Sequence, residues 1–145
     1  MFDPTIWSKL HGASTHFPIA LIFVSALCDV GSLFSKEVER RRGFRFAGTV
    51  TIVLGALGGY AAVLTGLVIT KGQVWGQATL LRHHQFVWPA FALMTGLATW
   101  RIFAPVEHSR RAANIYLVLM SVAVALASGA GYWGGELLSE GCISL

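Results

Sequence analysis

Four of the five histidines in this sequence fall into two short clusters, His11 with His16 and the adjacent pair His83 and His84. Imidazole is the commonest metal-ligating side chain, since its neutral ring presents one bare nitrogen while the other carries a proton. Two such rings facing each other from different helices make the axial ligand pair of a b-type haem. Several converging more closely would take copper or zinc directly. Which of these is open to the chain depends on the elements that position the rings.

Of 145 residues, 54% are hydrophobic and only 12% are charged, and the mean hydropathy is +0.62. A soluble domain carries roughly 25% charged residues, so this chain lacks the polar surface of one and most of it must face lipid. A soluble enzyme, a nucleic-acid binder with a basic patch and a disordered chain are thereby excluded. Four apolar stretches, at about residues 17–34, 46–69, 85–104 and 112–133, each approach the roughly 20 residues that cross a bilayer as helix. Lipid offers backbone polar groups no partner, so each stretch must bond within itself. The fold class is all-α: a polytopic four-helix transmembrane bundle, one domain over residues 1–145. No internal repeat stands out. Pro89 either kinks the third helix, freeing the Gln85 carbonyl, or lies close to its start.

The charges orient the bundle. Lys36, Arg40, Arg41, Arg42 and Arg45 fall between spans 1 and 2, and Arg101, Arg110 and Arg111 between spans 3 and 4, eight cations on one side. Lys9, Lys71 and Arg82 are the three on the other. The positive-inside rule puts the eight in the cytoplasm and both termini outside, in a bacterial inner membrane. Trp7, Trp75, Trp88 and Trp133 then form an outer aromatic belt. The first span has its basic flank after it rather than before it, so it is a retained helix and not a signal peptide. Cys28 and Cys142 are expected at different depths, with no disulfide between them. No C-x-x-C-H stretch provides for a covalent c-type haem.

Spans 1 and 3 run the same way, so His11, His16, His83 and His84 share the outer face, and Glu136 at the outer end of span 4 can join them. A single histidine at a membrane boundary often serves only as an interface residue, but four on one face are harder to assign to that. Adjacent helical residues point about 100° apart, so His83 and His84 cannot both meet one partner. His16 precedes Phe17 and Pro18, and Pro18 suits a first helical turn, where its missing N–H costs nothing. Gly55 with Gly59 and Gly131 with Gly135 have G-x-x-x-G spacing, which leaves room for a macrocycle or for close helix packing. His108 lies in the basic loop across the membrane and cannot share the same iron. Asp29 is the one acid inside a span, and such residues face the bundle interior. It is either part of a proton relay or a tie between helices.

His11-Gly-Ala-Ser-Thr-His16-Phe17-Pro18-Ile19-Ala20, followed by Asp29, resembles the H-P-x-x-x-H-F-P-I-A opening of the four-helix membrane family called domain of unknown function 2231. Gly131-Tyr132-Trp133-Gly134-Gly135-Glu136-Leu137, then Gly141, resembles that family's G-x-x-G-G-E-L…G close. His83 or His84 supplies the histidine near the start of its third helix. Gly12 departs from the family's usual proline, which leaves the angle of helix 1 less constrained. Similar domains occur fused to Rieske iron–sulfur or cytochrome c modules, so the resemblance implies an electron-carrying membrane domain.

The expected function is that of a membrane electron-transfer subunit, not catalytic alone, binding haem b near the outer face. It would relay electrons between an outward-facing partner, a cytochrome c or iron–sulfur protein, and quinone or another membrane subunit. His16 is the expected axial ligand from helix 1 and His84 or His83 from helix 3. His11 and Glu136 are expected to hold imidazoles or propionates in place. Two other classes stay open: a copper- or zinc-binding membrane protein using the four histidines, and a cofactor-free structural or assembly subunit.

Overall fold

The computed structural model describes residues 4–103 and 110–139; His108, Gly141 and Cys142 lie outside the described residues. Four helices account for nearly all of these: α1 (Pro4–Phe34), α2 (Val38–Ile69), α3 (Ala78–Phe103) and α4 (Arg110–Ser139). Each is long and apolar enough to cross a membrane. The shortest, α3, has 26 residues, which is about 39 Å of helix against about 30 Å of hydrocarbon. The helices overrun the apolar stretches because hydropathy marks where lipid ends, whereas nothing in the polar flanks stops a helix.

That overrun corrects two expectations, for Pro18 and Arg101, and decides between the two readings of Pro89. Pro18 is not in a first turn but well inside α1, and Pro89 is likewise inside α3. Their missing N–H groups release the carbonyls of Ser14 and Gln85 from the helical ladder. His11 and His16 therefore ride on one continuous helix. Arg101 is not a loop cation; it stands in the last turn of α3 with its side chain only 7% exposed. Seven cations, not eight, then flank the membrane at that end.

The inside of the bundle is small and the outside large. Ala56, Ala98, Ala123 and Ala127 share the core with Ile22, Ile52, Leu97 and Met120. Leu27, Phe46, Phe103 and Val118 are among the many large apolar side chains left exposed. Outward apolar surface on this scale is what lipid, not water, accepts.

The closest neighbours are α1 with α2 and α3 with α4, so the bundle is two helical hairpins laid together. Small residues on α2 bring α1 in. A methyl at Gly48 would sit 3.4 Å from Cys28, one at Gly55 3.3 Å from Leu21, and one at Gly58 3.0 Å from Phe17. Ser25 adds an interhelical bond, donating to the Gly48 carbonyl at 2.9 Å. At the far end of α2 the chain reverses through Lys71 (φ 53°) and Gly72 (φ 80°). Gly72 N–H bonds the Leu67 carbonyl at 2.8 Å and Lys71 N–H the Val68 carbonyl at 3.2 Å. This is the Schellman pattern, which satisfies carbonyls a helix end would otherwise leave bare.

The two hairpins share one local arrangement: His11 of α1 reaches the Ala62 carbonyl and lies against Gly66 on α2, and His83 of α3 reaches the Ala130 carbonyl and lies against Gly134 on α4. The hairpins are also tied to each other, since Asp29 and Arg101 form a buried ion pair joining α1 to α3.

Candidate functional site

His11, His16, His83 and His84 all line one cavity of about 310 Å³ at the end of the bundle opposite Arg42, Arg45 and Arg101. Its volume falls within the range of small-molecule sites. Its remaining walls are mostly apolar, including Ile22, Phe91, Met94 and Trp88, with Ser8, Thr15 and Thr70 among them. All four helices contribute to it.

Three of the four rings are held in the same way. His11 Nδ1 lies 3.0 Å from the Ala62 carbonyl and 3.1 Å from Thr65 Oγ1 on α2. His83 Nδ1 lies 3.0 Å from the Ala130 carbonyl on α4. His84 Nδ1 lies 3.0 Å from the Trp75 carbonyl in the α2–α3 turn. A carbonyl only accepts, so in each ring Nδ1 carries the proton and donates. Nε2 is then left as a lone pair, the tautomer a metal or haem iron requires.

The sequence folds this way because small residues stand where the rings lie. The His11 ring lies against Gly66, where an added methyl would meet its Cε1 at 3.0 Å. The His83 ring lies against Gly134, with the corresponding distance 3.4 Å. His83 and His84 have ring centroids 5.8 Å apart, inclined at 45°.

The other expected residues separate. His16 lines the same cavity but is exposed. Glu136 is half-buried on α4 and does not line it. The glycine pairs also part company. Gly55 and Gly59 are buried against neighbouring helices, and a methyl at Gly59 would meet Met94 Cε at 2.6 Å. Gly131 and Gly135 line the cavity, as Gly59 also does, but a methyl at Gly135 meets nothing within 4 Å. Among the described residues, no group of three or more His, Cys, Asp or Glu is gathered to hold a metal ion.

Asp29 is far from this cavity, eighteen residues along α1 from His11, about 27 Å of helix rise. Its carboxylate accepts from Arg101 Nη2, the two side chains being 6% and 7% exposed. It is a tie between helices, and Arg101 is the partner that sequence reasoning missed. A charged residue at the edge of a span reads as a loop cation unless its partner is known.

The family model described as a predicted membrane protein, DUF2231, matches residues 8–144. No curated protein and no solved structure matches the chain.

Proposed function

This chain belongs to the DUF2231 family of membrane proteins, and we propose that it holds a b-type haem in the histidine-lined cavity and serves as a membrane electron-transfer subunit. One observation carries this reading. His11 and His83, at corresponding places on α1 and α3, each donate Nδ1–H to a carbonyl of the adjoining helix and line one cavity. A bis-imidazole site needs that pairing: two neutral rings from separate helices, each fixed by its outer nitrogen. The glycines beside the rings, Gly66 and Gly134, and those along the cavity, Gly131 and Gly135, leave space for a flat group.

In this arrangement His11 and His83 are the ligands. His16, exposed at the same cavity, is placed to meet propionates at the wet interface, and His84 holds the α2–α3 turn. When bound, the haem supplies one-electron exchange, whose potential follows ligation and burial. The seven arginine-end cations against Lys9, Lys71 and Arg82 orient the histidine end outward, toward the periplasm of a bacterial inner membrane. An outward-facing cytochrome c or iron–sulfur protein is the partner proposed on that side, with quinone or another membrane subunit on the other side of the relay.

The test is a dithionite-reduced minus oxidised spectrum of the detergent-purified protein, produced with haem supplied. A bis-imidazole signature is expected in the wild type and in Arg40→Ala, and is expected to be lost in His11→Ala and His83→Ala. A wild type with no such spectrum, or either histidine variant keeping it unchanged, overturns the reading.

A further inference from the structure

We infer that the arginine end of the bundle carries a second site, one that takes the phosphate of an anionic phospholipid headgroup. It is independent of the histidine cavity. A cavity of about 240 Å³ there is lined by Asp29, Arg42, Arg45, Arg101 and Tyr116, with Leu33 and Phe46 among its apolar walls. Three guanidinium groups, of Arg42, Arg45 and Arg101, meet the Asp29 carboxylate there. Glu39 pairs with Arg42 outside the cavity, at 3.3 Å and exposed.

The buried polar atoms in this cavity are not satisfied by the chain. Arg101 gives Nη2 to Asp29 and Nη1 to Thr49 Oγ1 and the Arg45 carbonyl, at 3.3 and 3.4 Å, but its Nε has no partner. The Tyr116 hydroxyl proton has no acceptor either, since Arg101, whose guanidinium carbon lies 4.5 Å from the ring, can only donate to it, and the residue is 1% exposed. Two donors therefore await an acceptor beside Arg42 and Arg45. Buried donors without acceptors are rare in folded proteins, and a phosphate oxygen satisfies them with charge-assisted bonds. Asp29 Oδ2, also unpartnered, asks for a donor in the same ligand. A hydroxyl-bearing headgroup such as phosphatidylglycerol supplies both, as does dihydrogen phosphate.

The walls favour the lipid. Leu33 is 58% and Phe46 73% exposed, so the cavity lining continues onto lipid-facing surface where acyl chains lie. Arg42 and Arg45 stand near the start of α2, just after the turn from α1. That is the headgroup level of a bilayer, where arginine recognises phosphate in a planar, bidentate manner.

The experiment is native mass spectrometry and thermal unfolding of the detergent-purified protein, titrated with phosphatidylglycerol, phosphatidylcholine or inorganic phosphate. Phosphatidylglycerol is expected to be retained and to raise the unfolding midpoint, and phosphatidylcholine to do neither. Tyr116→Phe and Arg42→Gln, which leave the Asp29–Arg101 pair intact, are each expected to weaken phosphatidylglycerol about tenfold. Protection by inorganic phosphate with no phospholipid retained overturns the lipid as the source. Equal retention of the two lipids, or full phosphatidylglycerol affinity in both variants, overturns the site.

Discussion

Asp29 and Arg101 meet across the diagonal of the bundle, joining two helices that otherwise touch little. Removing one partner leaves an uncompensated buried charge, which costs about 3–5 kcal/mol. Asp29→Asn and Arg101→Gln are each expected to lower stability on that scale. The double variant is expected to recover part of the loss, since neither charge is then stranded. Thermal unfolding in detergent measures the coupling, and a double variant no better than the sum of the singles would remove the pair as a tie.

Gly59 and Gly135 share a sequence spacing but not a role. Gly59→Leu drives a side chain into Met94 and Phe91 of α3, an overpacking cost of about 1–3 kcal/mol. Gly135→Leu meets nothing within 4 Å, so it is expected to fold with near wild-type yield, although both glycines line the histidine cavity and either variant narrows it. Size-exclusion profiles of the two variants, compared with haem retention, separate these outcomes.

Lys71 sits in left-handed backbone at the C-terminal cap of α2, where a residue with a Cβ costs about 1–2 kcal/mol and glycine much less. Lys71→Gly is therefore expected to stabilise the protein by up to about 1 kcal/mol, after the greater freedom glycine has when unfolded. A lower unfolding midpoint would show that the lysine side chain contributes more than its backbone costs.

Much of the fold was legible because lipid imposes strong rules. Four apolar stretches had to be helices, and parallel spans had to bring His11, His16, His83 and His84 to one end. What could not be read were the places where the determinant is a partner rather than a composition. Arg101 reads as a loop cation until Asp29 is seen beside it. Pro18 reads as a helix start until α1 is seen to begin at Pro4. The likeness of the His11 and His83 settings was hidden because each depends on a carbonyl and a glycine of another helix, which spacing along one helix does not reveal. The tautomer of His11 was equally out of reach, since it depends on the Ala62 carbonyl of another helix.

His84 and His83 are neighbours in sequence, yet the bonds they make give them different jobs. His84 donates to the Trp75 carbonyl, and Trp88 Nε1 donates to the Val74 carbonyl at 2.7 Å, so two side chains of α3 pin the turn that precedes it. His83 reaches the other way, to α4. A neutral hydrogen bond of this kind is worth about 1 kcal/mol, so His84→Ala is expected to speed local hydrogen exchange over residues 70–77 about fivefold. His84→Asn keeps an N–H able to reach Trp75 and is expected to restore protection. Neither variant is expected to change the bis-imidazole spectrum if His11 and His83 are the ligands, whereas His83→Ala is expected to lose it with the turn still protected. Loss of the spectrum in His84→Asn, with the turn intact, would transfer the ligand role from His83 to His84.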